Sequence, residues 1–262
     1  MASHARTPFI GGNWKMNTSR GQALELAADV ARAAAEDAAG PQVAVYPPYV
    51  WLETIRAVVG GVSLMLGAQD CSPEPNGART GDVSLEMLQE CGVSTVLIGH
   101  SERRHGLHEP QERIAAKLAA VLGRAMTGVL CIGETLEERQ AGKTDAVNEA
   151  QLRSALTGLA VSDPARLVVA YEPVWAIGTG LAASSDDAQA AHAAIRGVLG
   201  SIFGGGPAGE EAAGHIRIIY GGSMKPDNAA ELMAKPDVDG GLVGGASLEA
   251  QDFIAIVDAA RG

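Results

Sequence analysis

Three ionisable side chains stand where the chain leaves apolar, strand-like runs: Lys15 shortly after Phe9–Gly12, His100 after Val96-Leu97-Ile98-Gly99, and Glu172 after Leu167-Val168-Val169-Ala170-Tyr171. A carboxylate leaving such a run is partly desolvated, which makes it a better proton acceptor. An imidazole and an ammonium nearby could hold the charge that develops once a proton is removed. Two Gly-rich turns, Gly221-Gly222-Ser223 and Gly244-Gly245-Ala246-Ser247, lead into helical patterns, and such turns aim backbone N–H groups at an anion. Each feature also has an ordinary reading. Glu172 fits a solvated loop, His100 a core histidine with a backbone partner, Lys15 a surface lysine, and each glycine pair a tight turn or cap. Ser101, Glu102, Arg103 and Arg104 fit a solvated ion cluster at a helix start, which stabilises little.

The elements that must position these groups alternate from end to end. Strand candidates are Phe9–Gly12, Val43–Tyr46, Ser63–Ala68, Thr95–Gly99, Gly128–Ile132, Leu167–Tyr171, Ile216–Tyr220 and Gly241–Gly244. Most are apolar at consecutive positions, the pattern of strands buried on both faces of a parallel sheet. Between them, Leu26, Val30 and Ala34 recur at helical spacing behind the capping candidates Thr18 and Ser19. So do Ile114, Leu118, Val121 and Leu122, and then Ile195, Val198, Leu199 and Ile202; a last helix is expected over about 248–259. The second and third helices give weaker patterns. Eight strand–helix units in 262 residues predict an α/β fold, a (β/α)8 TIM barrel with a closed, parallel, eight-stranded sheet. One domain over 1–262 is expected, with 1–7 as a flexible N-terminal extension. In such a barrel function gathers at the C-terminal strand ends, and the turns after strands seven and eight are the usual phosphate site.

Two loops stand out. Pro173, Val174, Trp175, Ala176, Ile177, Gly178, Thr179 and Gly180 form an apolar segment, better explained as a lid over a ligand than as a static exposed turn. GGGPAGEEAAG at 204–214 reads as a flexible surface loop.

Composition excludes several classes. A net charge of −11 with no basic stripe disfavours nucleic acid and anionic membranes, so an anionic ligand must be held by local donors. Cys71, Cys91 and Cys131 are odd in number and lack metal-type spacing, and read as reduced thiols. No apolar run has signal-peptide or membrane-spanning character, so a cytoplasmic protein is expected.

Six segments, GGNWKMN (11–17), GHSERR (99–104), CIGETLEERQAG (131–142), AYEPVWAIGTG (170–180), YGGS (220–223) and LVGGASL (242–248), resemble the triosephosphate isomerase family, in order and across nearly the whole chain. The resemblance implies isomerisation of dihydroxyacetone phosphate and D-glyceraldehyde 3-phosphate through an enediolate, in glycolysis and gluconeogenesis, with no metal or organic cofactor. It implies Glu172 as the base, His100 as a neutral electrophile, Lys15 as the counter-charge, Asn13 as a positioning group and Glu102 as a supporting carboxylate. Gly178, Ser223, Gly244 and Gly245 would bind the phosphate, with Tyr220 and Ser223 latching the closed lid. It further implies a homodimer through the loop Cys71–Ser84, with Thr80 reaching toward the partner's Asn13 and the partner's His100. Departures from the family pattern fall at Leu181, after the lid; at Arg79 and Asp82 in that loop, Asp82 standing where a Glu would pair with Arg103; and at 105–109, which lacks an aromatic residue.

Rival chemistries fit less well. Gly178-Thr179-Gly180 lies too far from its strand for a dinucleotide fingerprint. Gly99-His100-Ser101 has Arg103 where a nucleophile elbow needs glycine. His100, His105 and His108 match no metal-ligand spacing. A barrel kept only for binding would not need Lys15 and Glu172 together. Within the family, an isomerase of a four-carbon ketose phosphate would keep every catalytic residue, because one carbon changes binding by only about 10–200-fold.

Overall fold

The computed structural model describes residues 6–35, 40–61, 63–176 and 183–261. Eight parallel strands, β1 (Phe9–Asn13), β2 (Gln42–Tyr46), β3 (Leu64–Ala68), β4 (Thr95–Ile98), β5 (Thr127–Ile132), β6 (Leu167–Tyr171), β7 (Arg217–Tyr220) and β8 (Gly240–Val243), pair in chain order. β8 closes onto β1 with Gly12 opposite Val243, giving the expected (β/α)8 barrel. Every strand lies within one residue of its expected bounds at each end.

The consecutive apolar residues resolve into two dry faces. In β6, Val168 and Ala170 point into the barrel with Phe9, Tyr46, Leu97, Val129, Ile219 and Leu242. Leu167, Val169 and Tyr171 point outward into the layer shared with the helices. Period two is therefore present in the backbone but invisible in hydropathy.

The outer layer holds α1 (Arg20–Ala35), α2 (Leu52–Val59), α3 (Leu85–Glu90), α4 (Gln111–Gly123), α5 (Leu136–Gln140), α6 (Thr144–Leu156), α7 (Ser185–Ile202), α8 (Gly206–His215), α9 (Pro226–Met233) and α10 (Ala250–Ala259). The faint second and third patterns correspond to the short α2 and α3. Of the two capping candidates before α1, Ser19 is the one used: its hydroxyl accepts from Gln22 N–H at 3.4 Å, and Gln22 Oε1 accepts from Ser19 N–H at 2.9 Å. α7 starts on a capping box between Ser184 and Asp187.

One expectation is overturned. The stretch 204–214 is not a loop from end to end, since most of it forms α8. Pro207 starts the helix, and Ala and Glu are strong helix formers. Its central glycine is a packing residue: a Cβ on Gly209 would sit 2.2 Å from the carbonyl oxygen of Gly200 on α7. Glycine count suggested a loop, whereas the glycine lets two helices touch. Residues 1–5 of the expected extension lie outside the described residues, and Arg6 pairs with Asp239 at 2.6 Å.

Candidate active site

The C-terminal strand ends bring Asn13, Lys15, His100, Glu172, Ser223, Gly244 and Gly245 around one cavity of about 710 Å3. Gly178 and the rest of Ile177–Gly180 lie outside the described residues, as does Leu181. The described part of the expected lid is not an exposed turn. Pro173 and Ala176 are buried, while Val174 and Trp175 are half-buried.

Lys15 leaves β1 in the left-handed region, at φ 51°. Such a backbone persists only where its surroundings hold it. Asn13 Oδ1 accepts from Lys15 N–H at 3.0 Å, and Gln69 Nε2 donates to the carbonyls of Lys15 and Tyr46, each at 2.8 Å. The side chain then runs along the cavity wall to Glu102, with Nζ 2.6 Å from Oε1. Glu102 is itself 57% exposed, so the pair is wet and Lys15 can exchange it for an anion at little cost.

His100 ends the strand-four segment, 6% exposed. The backbone N–H of Glu102 donates to its Nδ1 at 3.2 Å, so a neutral ring carries its proton on Nε2. That nitrogen lies 3.1 Å from Glu172 Oε1. Glu172 is 2% exposed. Its Oε2 accepts from Ser101 N–H at 2.8 Å, whereas Oε1 has no aligned hydrogen bond among the described residues despite the closeness of His100. One carboxylate oxygen is anchored and the other is free to take a proton. The geometry also needs a glycine opposite. A Cβ on Gly221 would lie 2.8 Å from Glu172 Cγ and 3.1 Å from the Tyr171 carbonyl.

The Ser101–Arg104 stretch is not simply a solvated ion cluster. Glu102–Gly106 form a single π-helical turn. Arg104 folds inward to the carbonyls of Gly99, at 2.6 Å, and Cys131, at 2.8 Å. Burial lowers the Arg104 pKa from its ordinary value. Arg103 binds Asp70 at 2.8 Å and Glu109 at 3.3 Å. Among the described residues Asp82 does not pair with Arg103 of its own chain. Asp82 instead meets Ser72 at 3.0 Å and Arg113 at 3.1 Å, contacts that hold its carboxyl below the ordinary range, with Ser72 the larger cause.

Sequence reasoning missed Gln69, Glu134 and Arg104. Glu134 is fully buried, and its Oε1 accepts from Trp175 Nε1 at 2.9 Å and the Tyr171 hydroxyl at 3.1 Å. Arg139 stacks on the Trp175 ring at 4.3 Å. Gln69 and Glu134 follow β3 and β5, so reading every strand end, not only those with obvious chemistry, would have found them. Tyr220 ends β7 with its phenol pushed up to about 12 by burial, the Ala183 backbone acting the other way.

The sequence model of the triosephosphate isomerase family matches residues 8–260. Similar proteins include the triosephosphate isomerase of Roseiflexus sp. (strain RS-1), 48% identical over 252 residues, covering 96% of this chain and 97% of that one. That of Chlorobium phaeobacteroides is 47% identical over 255 residues, covering 97% and 99%. That of Symbiobacterium thermophilum is 47% identical over 255 residues, covering 97% of each. With a closed barrel, a carboxylate and an imidazole in contact at its mouth, and likeness over nearly its full length, the chain belongs to the triosephosphate isomerase family.

Proposed function

We propose that the chain interconverts dihydroxyacetone phosphate and D-glyceraldehyde 3-phosphate by moving one proton between adjacent carbons and one between the oxygens those carbons carry. The supporting observation is the free Oε1 of buried Glu172 beside His100 Nε2, in a cavity that Lys15 also lines. Glu172 takes the carbon-bound proton and returns it to the neighbouring carbon. His100 donates from Nε2 to the carbonyl oxygen and recovers a proton from the neighbouring hydroxyl, so that the hydroxyl proton passes from one substrate oxygen to the other, and Lys15 offsets the charge of phosphate and enediolate. Asn13 positions Lys15, and Glu102 holds its ammonium until substrate arrives. Ser223, Gly244 and Gly245, with Gly178 from the lid, hold the phosphate, and Tyr220 and Ser223 latch the lid. Excluding water matters because a solvated enediolate phosphate would lose its phosphate. Turnover in deuterium oxide should place deuterium on the carbon beside the product carbonyl, and Glu172→Gln should abolish that labelling. Labelling that persists in Glu172→Gln would remove Glu172 from the role of base.

The same reading makes the chain a homodimer through the loop Cys71–Ser84. Residues 76–82 of that loop are exposed, yet they are held in shape by Ser72 and Ser84, which hydrogen-bond Glu74, Asp82 and Asn76. A rigid, protruding loop costs little entropy to dock. Met16 is 95% exposed and Val50 72% exposed, apolar surface that a partner would cover. Thr80 would then reach the partner's Asn13 and the partner's His100.

A further inference from the structure

Behind the junction of β6 and β7 lies a histidine that the mechanism does not use. His192, on α7, is fully buried. Its Nδ1 is 3.0 Å from the Asp237 carbonyl oxygen. A carbonyl only accepts, so Nδ1 carries the proton, and in the neutral ring Nε2 is a bare acceptor with no partner among the described residues. The ring packs edge-on against Tyr171, centroids 5.8 Å apart and planes at 89°, and tilted against Tyr220 at 6.5 Å.

Those two tyrosines are the last residues of adjacent strands and lie opposite each other in register. The next residue after Tyr171 is the base, Glu172. The residues after Tyr220 are Gly221, Gly222 and Ser223, the turn assigned to phosphate. Across the junction, Gly221 N–H donates to the Tyr171 carbonyl at 2.7 Å. One turn further along α7, Arg196 binds Asp237 at 2.6 Å and Asp239 at 2.7 Å, tying the same helix to the segment that enters β8. One oriented ring therefore backs the two strand ends whose separation sets the distance from base to phosphate.

We propose that His192 is a positioning residue that fixes the spacing between Glu172 and the phosphate turn. The proposal rests on the isomerase reading and goes beyond it. A substrate anchored by its phosphate presents its carbon to Glu172 correctly only if that spacing holds. An unphosphorylated substrate does not depend on it. Loss of general order would affect both, which separates positioning from a merely structural role.

The test compares the wild-type chain with His192→Ala and His192→Phe on D-glyceraldehyde 3-phosphate and on unphosphorylated D-glyceraldehyde. In His192→Ala, kcat for the phosphorylated substrate should fall about tenfold with KM within about twofold, a loss typical of sub-ångström misplacement. The rate on D-glyceraldehyde should stay within about twofold, and His192→Phe, which keeps a ring against both tyrosines, should recover kcat to within about threefold of wild type. If His192→Ala fails to fold, His192→Gln, which can still donate to Asp237 but offers no ring, is read the same way. Parallel losses on both substrates, no loss on either, or a phenylalanine variant as impaired as the ringless one would overturn the proposal. A wild-type chain inactive on the phosphorylated substrate would instead overturn the isomerase reading beneath it.

Discussion

At the scale of single residues, the site separates holding from reacting. Ser101 N–H fixes one oxygen of Glu172 and Glu102 N–H fixes the tautomer of His100, while the other oxygen and the Nε2 donor stand 3.1 Å apart without an aligned hydrogen bond between them. Removing that donor should act on the chemical step. His100→Gln should lower kcat by about 10²–10³-fold with a smaller change in KM, as for loss of an oxyanion donor. An equal rise in KM with kcat intact would make His100 a ground-state binder. His192 offers a second test at this scale. Burial lowers its pKa from 6.5 to about 4, while the carboxylates of Asp239 and Asp237 act upward and Arg196 downward. The unfolded chain therefore binds a proton that the folded chain refuses between those values. This ionisation leaves stability unchanged above pH 6.5 and lowers it by up to about 3 kcal/mol as pH drops toward 4. Urea midpoints of wild type and His192→Phe should diverge over that window, the wild type losing more. Glu172, His100 and Lys15 were legible because their own sequence neighbours are apolar strand residues. Gln69 and Glu134 also follow strands and were within reach of the same reading, whereas the inward fold of Arg104 onto the Cys131 carbonyl was not.

At the scale of elements, the strands could be read because burial on both faces leaves a continuous apolar signature of the right length, and each helix stripe named from spacing falls within a helix. The failure at α8 has a definite cause. Glycine reports either a free backbone or a close approach, and only three dimensions tell them apart. Gly209→Val should therefore lower stability by about 1–3 kcal/mol through overpacking against Gly200. Activity well below the melting temperature should be unchanged, because α8 lies away from the cavity-lining residues. A valine variant as stable as wild type would show that α7 and α8 can part without cost. The loop Cys71–Ser84 shows the complementary case. Its bounds came from the family resemblance, but its internal bonding of Ser72 to Asp82 and Ser84 to Asn76 was not legible in the sequence.

At the scale of the whole molecule, a barrel with a net charge of −11 must draw in a dianion against its own field. On the proposed reading, oriented amides and Lys15 at the mouth supply the local attraction. No described helix is long and apolar enough to cross a membrane. Sedimentation should give twice the mass of one chain, and Thr80→Arg, at the tip of the loop proposed to dock, should shift it toward one chain mass and lower activity in step. A fully active monomer would contradict the dimer. The most direct test of the account is steady-state kcat/KM for D-glyceraldehyde 3-phosphate beside a four-carbon ketose phosphate, in wild type and Glu172→Asp. The expected triose value approaches the diffusional ceiling of about 10⁸–10⁹ M⁻¹s⁻¹, for which this enzyme family is itself a standard example. Shortening the base by one methylene should reduce that value by about 10²–10⁴-fold. A weak triose rate beside a strong tetrulose rate, or a Glu172→Asp variant as fast as wild type, would contradict it.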